Sequence, residues 1–318
     1  MSTRDRLLAV LVAVCWGLNF PATALALEHF PPLLMVAVRF TLIAVPTLLF
    51  VPRPAVALRW LIGVGLGIGT LQFAFLYLGM AAGMPSGLAS LVLQASAPFT
   101  VVLAGVFLRE KLSGRQVAGI VVAVAGLAAI AVHRAQVAAL LPVALTVCGA
   151  LGWAIGNVCS RQAKAPNPFH LTLWMSTVPV LPMLALSFVV EGPQRIWWSL
   201  STVATAAALP AVLGLLYIVV IATLLGYGIW NTLMSRYPSS TVAPFSMLVP
   251  VVGVLSSWLI FGEGIDLVEG IAGVAIVGGV LFGSARRRTA AATPRALAPA
   301  RGPRSWRLSP KPKKKNMS

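Results

Sequence analysis

Residues 85–120, PSGLASLVLQASAPFTVVLAGVFLREKLSGRQVAGI, and residues 238–271, PSSTVAPFSMLVPVVGVLSSWLIFGEGIDLVEGI, are two versions of one pattern. Pro85 answers Pro238, Pro98 answers Pro250, Glu110 answers Glu263, and the VAGI from Val117 answers the VEGI from Val268. Each copy is an apolar stretch interrupted by polar groups and a helix-breaking Pro, then a turn carrying a Glu, then the start of another apolar run. Self-similarity of this kind marks a duplicated structural unit. The match extends upstream: Trp16 with Asn19 answers Trp153 with Asn157, and Pro32 and Pro46 answer Pro168 and Pro182 at one constant offset.

Composition says what solvent the unit is built for. Of the 318 residues 58% are hydrophobic and only 10% charged, with a mean hydropathy of +0.91, more apolar surface than a water-soluble fold can bury. Ten apolar runs recur, at about 6–27, 32–51, 59–80, 85–108, 114–132, 138–160, 168–190, 207–231, 238–261 and 267–285. Each approaches the ~20 residues a helix needs to cross about 30 Å of hydrocarbon. Pro and Gly within them are compatible with membrane helices, because neighbouring segments satisfy the freed backbone groups. The expected fold is all-α, a polytopic membrane protein of ten transmembrane helices in two five-helix repeats.

The first run, with Arg4 and Arg6 before LLAVLVAV, resembles a secretory signal peptide. It continues through Trp16, Asn19 and Pro21 and has a partner in the second half, so it reads as a span. Cys15, Cys148 and Cys159 fall inside spans, and His29, His133 and His170 lie dispersed at span ends. No disulfide framework, metal site or cofactor is implied.

Short loops rich in Lys and Arg stay cytoplasmic. With the N-terminus inside, the inner segments carry Arg4, Arg6, Arg53, Arg59, Arg109, Lys111, Arg115, Arg161, Lys164 and Arg236, and the outer ones only Arg134 and Arg195. The expectation is a multi-pass protein of the cell (inner) membrane with both termini cytoplasmic. An odd number of spans per half turns the second copy upside down. The loops agree: REKLSGR is basic where the matched GEGIDLVE is acidic. Two inverted halves that rock about a shared site are a recurring plan of secondary transporters. The expected domains are 1–135, the first repeat; 136–285, the second; and 286–318, a basic tail holding eleven of the 24 Lys and Arg residues. That tail cannot form a core and reads as disordered, close to anionic lipid headgroups rather than on nucleic acid.

The strings CWGLNF, PPLLMVAVRF, GMPSGLASLVLQASAPFT, GWAIGN, LLGYGIWNTL and TVAPFSMLVPVVGVLSSWLIFGE resemble the EamA family of the drug/metabolite transporter superfamily. The resemblance runs from residue 4 to about 285. It implies ten helices around a central cavity that opens alternately to either side, and export of small metabolites such as O-acetylserine and cysteine-pathway compounds. Small multidrug members of that superfamily use a carboxylate embedded in the first helix. Here Asp5 and Glu28 stand only near its ends, which puts such proton coupling in doubt.

Polar and aromatic groups inside apolar spans need a cavity or a partner. The candidates for substrate contact are Trp16, Asn19, Arg39, Gln72, Tyr77, Gln94 and Ser96 in the first half, and Trp153, Asn157, Tyr227, Trp230, Asn231 and Ser246 in the second. Arg39 is the charge well inside a span; its matched position is Met175, so the cation lies outside the shared pattern. It can bind a carboxylate, snorkel outward or pair with a neutral acceptor. Gln94 is likewise unmatched. Pro98, Pro244 and Pro250 are candidates for helix breaks or gating, and Glu110 and Glu263 are read as anchors of the helix after each. Small-residue stripes can serve helix packing or a homodimer; a monomer is assumed. The sequence lacks HExxH, GxSxG and GxxxxGK[ST] patterns, which disfavours a membrane enzyme and an ATP-driven pump. A membrane-embedded enzyme and a passive channel remain the alternatives to a transporter.

Overall fold

The computed structural model describes residues 1–137, 139–237 and 239–284, and the regular structure among them is helical. The basic tail read from residue 286 onward lies outside the described residues. In chain order the helices are α1 (Thr3–Leu27), α2 (Pro32–Phe50), α3 (Leu58–Ala81), α4 (Ser86–Phe107), α5 (Gly114–Val137) and α6 (Leu141–Ala163). They continue with α7 (Pro168–Val190), α8 (Pro193–Ser201), α9 (Ala206–Arg236), α10 (from Ser239 to Phe261) and α11 (Leu267–Ser284). Among the described residues nine helices are long and apolar enough to cross a membrane, and Leu267–Gly283 makes a shorter tenth apolar helix. The chain is a multi-pass membrane protein. Large apolar side chains such as Phe50, Phe107, Leu181, Val189 and Val274 are exposed, as they must be where the solvent is lipid.

Local chemistry sets the helix ends. Ser2 caps α1, its hydroxyl accepting from the Asp5 N–H. Asn167 caps α7, its side-chain oxygen accepting from the N–H groups of Phe169 and His170. Pro32, Pro142 and Pro168 stand in the first turns of α2, α6 and α7, where a missing N–H costs nothing. Gly262, at φ 66°, closes α10 in the left-handed conformation that glycine adopts without strain.

Several spans are irregular, and the irregularities come in matched pairs. Within α4 the tight turn Leu93–Ala95 separates Ser86–Val92 from Ser96–Phe107; within α10 the tight segment Ala243–Met247 separates Ser239–Val242 from Leu248–Phe261. These are the interruptions that the Pro-bearing pattern led one to expect. Unexpected were two wide π-helical stretches, Gly65–Gln72 in α3 and Tyr217–Leu225 in α9, which occupy equivalent places in the two halves. Also unexpected was α8, a short helix with Trp197 and Trp198 exposed, the residue type enriched where membrane meets water.

Packing relates the halves by exchange. Helix α1 packs on α9 and α10, while its counterpart α6 packs on α3 and α4, so the first helix of each half is held by the third and fourth of the other. Three pairs of counterparts, α5 with α11, α2 with α7 and α4 with α10, also meet directly and run antiparallel. On α5 and α11, Arg115 approaches Phe282 whereas Arg134 pairs with Glu269 at 2.8 Å. On α2 and α7, Glu191 reaches the N–H groups of Leu33 and Leu34, and the Trp174 indole donates to the Val51 carbonyl. On α4 and α10, Ser86 meets Ser257 and Gln94 meets Met247. Such contacts require two copies of opposite sense.

The α5–α11 seam is a backbone-to-backbone approach. A Cβ on Gly119 would stand 2.4 Å from the Gly279 carbonyl oxygen, and one on Gly279 would stand 2.6 Å from that of Gly119. Without a hydrophobic driving force between helices in lipid, this closeness supplies dispersion contact instead.

Candidate functional site

A cavity of about 390 Å³ lies between the halves. Helices α1, α2, α3, α4, α6, α7, α9 and α10 contribute to its wall; α5, α8 and α11 do not. Counterparts face it together: Trp16 and Trp153, Asn19 and Asn157, Arg39 and Met175. Of the residues singled out in the sequence, Trp16, Asn19, Arg39, Gln72, Gln94 and Ser96 line it from the first half. Trp153, Asn157, Tyr227, Trp230, Asn231 and Ser246 line it from the second. Tyr77 does not: it is fully buried behind the wall. Pro98, Pro244 and Pro250 are also outside the lining; Pro98 and Pro250 are buried beside the breaks of α4 and α10, and Pro244 lies within the second break.

Arg39 is 3% exposed, so it does not snorkel. Its Nη1 donates to the Tyr77 hydroxyl at 2.6 Å and its Nη2 to Thr223 Oγ1 at 3.0 Å. Its guanidinium lies 3.9 Å from the centroid of the Phe73 ring. Both acceptors are neutral, and no carboxylate lines the cavity or lies within ion-pair distance among the described residues. The ring face and two hydroxyls offset part of the cost of burying the charge. They leave Nε without a protein partner.

The wide turn of α9 explains this arrangement. In a π stretch each N–H bonds five residues back, and Thr223 Oγ1 matches that spacing by donating to the Ile218 carbonyl at 2.8 Å, which keeps its lone pairs toward Arg39. In the same stretch the Ala222 carbonyl accepts from Trp16 Nε1 at 2.9 Å. Trp16 in turn sits 5.1 Å from the ring centroids of both Tyr227 and Trp230, each tilted by 52°. The cavity wall therefore carries a three-ring aromatic cluster and a fixed cation, held at the adjacent residues Ala222 and Thr223 of α9.

Amides also line the cavity. Gln94 Nε2 points at Met247 Sδ at 3.7 Å, a weak acceptor, and Asn157 donates to Thr100 at 3.2 Å. Asn19 Oδ1, Gln72 Oε1 and Asn231 Nδ2 are buried with no protein partner. Buried polar atoms are normally satisfied, so several unmet groups on one wall mark a surface prepared for water or solute. Sequence reasoning did not find Phe73 as the base of Arg39, nor the contribution of Leu171, Thr172 and Met175 from α7. Nothing in their local pattern differs from ordinary packing residues.

The acids at the ends of the Pro-bearing helices correct an expectation. Glu263 does not anchor the next helix, α11; Asp266 does, accepting from the Val268 N–H at 2.8 Å. Glu263 reaches across to the other half and accepts from the Ser86 N–H, the Ser86 hydroxyl and the Gly87 N–H at 3.1–3.2 Å. Glu110 leaves the start of α5 to Ser113 and Gln116, and pairs with Arg161.

The two matched halves thus enclose a largely apolar, aromatic-walled cavity with buried polar groups, and the family of the chain makes it a transporter of small molecules rather than an enzyme. Residues 6–132 and 140–284 each match the EamA-like transporter family, and the chain belongs to it. Over 91% of its length it is 42% identical to a probable amino-acid metabolite efflux pump of Salmonella typhimurium strain LT2, of which it covers 99%. It is 40% identical to the protein of the same description in Escherichia coli K12, over 88% of this chain and 94% of that one. A probable terminal-alkyne amino-acid exporter of Streptantibioticus cattleyicolor is 27% identical over 90% of this chain and 96% of its own. A solved crystal structure at 19% identity shares the fold, with a TM-score of 0.56 over 89% of this chain and 99% of that one.

Proposed function

We propose that the protein is a secondary exporter of small zwitterionic amino-acid metabolites, of the O-acetylserine and cysteine type, working by alternating access through the central cavity. The observation that carries this reading is Arg39: a buried cation on the cavity wall with neutral partners, an unsatisfied Nε and no acid to neutralise it among the described residues. A substrate carboxylate at that point completes the missing ion pair. A charge-assisted hydrogen bond of this kind contributes about 1.5–3 kcal/mol. The ammonium group then lies toward Trp16, Tyr227 and Trp230, whose faces attract cations. Asn19, Gln72, Gln94 and Asn231 supply the remaining donors and acceptors.

The loops give the orientation. The lining reaches Ser160, Pro168 and Asn231, beside the segments that carry Arg161, Lys164 and Arg236, and Pro168 is exposed. By the excess of Lys and Arg this is the cytoplasmic face of the inner membrane, with both termini on the same side. On this reading the cavity opens inward, the side from which an exporter loads. Breaks at Leu93–Ala95 and Ala243–Met247, with Pro98, Pro244 and Pro250 beside or within them, are the hinges of the two fourth helices. The cavity is complete within one chain, and the monomer is the transport unit.

The test is counterflow in proteoliposomes. Purified protein should accumulate labelled O-acetylserine or cysteine against an unlabelled internal pool, saturably, and a panel of amino acids with and without a pH gradient reads selectivity and coupling. Absence of trans-stimulated uptake for every member of the panel would sink the proposal.

A further inference from the structure

Glu263 and Glu110 occupy equivalent positions in the two halves, yet they are engaged differently. Glu263, at the end of α10, holds the first two N–H groups of α4 and the Ser86 hydroxyl. Around it the two helices are in tight contact. The Ser86 and Ser257 hydroxyls are 2.8 Å apart, a Cβ on Gly87 would meet Ser257 at 3.3 Å, and one on Gly253 would meet Ser90 at 2.7 Å. This is the end of the bundle opposite to Ser160 and Pro168, and it is shut.

The matched site is at the other end, where α4 finishes and α10 begins. Ser86 and Gly87 correspond to Ser239 and Ser240, and Glu110 corresponds to Glu263. Here the partner of the acid is different: a cation of the same half as the helix it would clasp. Glu110 is half-exposed and bound to Arg161 of α6, while Ser96 and Ala97 of α4 and Ser246 and Met247 of α10 stand on the wall of the cavity.

We propose that Glu263 and Glu110 are paired positioning residues that latch the two states of the transport cycle. Each clasps the N-terminus of the other half's fourth helix, one at a time. In the inward-open form Glu263 clasps α4 and closes the outer end. In the outward-open form Glu263 lets go, and Glu110 leaves Arg161 to accept from the N–H groups of Ser239 and Ser240. Equivalence of the halves makes the second arrangement the mirror of the first. The inference rests on alternating access, but not on the identity of the substrate.

Two details sharpen it. Arg161 has no cationic counterpart: the equivalent region of α1 near Ala24 is apolar, so only Glu110 has a rival partner, which biases the resting form inward. Glu191 also clasps a helix start, at the N–H groups of Leu33 and Leu34, yet its matched position is Ala55. That clasp has no alternate and serves as a fixed joint.

The experiment uses the full chain with Cys15, Cys148 and Cys159 replaced by Ala and the cavity residue Ala97 changed to Cys. A membrane-impermeant maleimide is applied to right-side-out and to inside-out vesicles. Glu263→Ala should raise the labelling rate from the outer face and lower it from the inner face, with a population shift on the order of tenfold, as expected for loss of a charge-assisted clasp. Glu110→Ala should do the reverse, lowering outer labelling. Glu263→Gln keeps one acceptor oxygen and should give an intermediate shift, which covers the case in which the Ala variant does not fold. Glu191→Ala should leave the ratio of the two faces unchanged. Shifts of Glu263 and Glu110 variants in the same direction, or no shift with either Glu263 variant, overturn the latch. Labelling needs no substrate, so a wild-type protein that fails counterflow removes the proposed function alone, and normal counterflow with unshifted labelling removes the latch alone.

Discussion

Replacing Arg39 by Met separates a substrate-binding cation from a structural one. Met matches the unbranched stem of Arg out to about Nε and adapts to irregular space. The variant loses the Nη1 bond to Tyr77 and the Nη2 bond to Thr223, but Thr223 keeps its bond to the Ile218 carbonyl and the Phe73 ring keeps an apolar neighbour. Removing a buried charge that has no ionic partner also removes the cost of keeping that charge out of water, against the loss of two hydrogen bonds to neutral hydroxyls. The melting temperature in detergent should therefore hold or rise. Transport should suffer by the worth of a charge-assisted bond to carboxylate, about 1.5–3 kcal/mol, which raises the half-saturation concentration roughly 10- to 150-fold. The assay is counterflow of O-acetylserine beside its methyl ester, which lacks the carboxylate. Wild type should prefer the acid, and Arg39→Met should lose most of that preference. Normal acid transport by the variant would refute the carboxylate contact. Loss of transport together with a fall in melting temperature would make Arg39 a scaffold residue.

The same geometry sets other expectations. Trp230→Ala removes one ring packed on Trp16 and should lower transport severalfold without lowering the yield of folded protein in the membrane; equal loss of both would assign the ring to packing. Gln94→Ala, which breaks only a weak contact to Met247, should leave thermal stability within about 1 kcal/mol while changing which metabolites compete in counterflow. Gly119→Val should destabilise the seam by about 1–3 kcal/mol or more through overpacking, seen as a lower melting temperature and less folded protein, because its Cβ would stand 2.4 Å from the Gly279 carbonyl. Glu191→Ala should cost about 1–3 kcal/mol in thermal stability by leaving two partly buried N–H groups unmet, with unaltered substrate affinity in counterflow.

What could be read from the sequence was whatever repeats or whatever the solvent demands. The ten apolar runs reflect bilayer thickness, and the paired Pro98 and Pro250 announce breaks that the helices do contain. The gathering of Trp16, Trp153, Asn19 and Asn157 at one cavity was legible because polar and aromatic groups in hydrocarbon must face something other than lipid. The partners were not legible. That Arg39 would meet Tyr77 and Thr223 depends on the π stretch in α9, and neither GLGIGTLQ nor YIVVIATLL carries a composition that distinguishes a π turn from an α turn. Tyr77, expected on the wall, stands behind it, where its hydroxyl accepts from Arg39, a pairing that nothing in the local sequence announces. The reach of Glu263 across the halves was hidden because a capping acid near a helix start looks the same in sequence whichever helix it serves.

The seam between α5 and α11 has an implication for how such proteins diversify. It joins the halves through glycine backbones and contributes nothing to the cavity wall, so this joint is independent of the residues that face the cargo, unlike the Trp16–Ala222, Arg39–Thr223 and Gln94–Met247 contacts, which serve both. A lineage can exchange Arg39, Gln94 or the aromatic wall for a different chemistry while this joint stays untouched. An ancestral single half carrying the same glycine stripe would also have had a ready means of binding an inverted copy of itself before the two were fused into one chain.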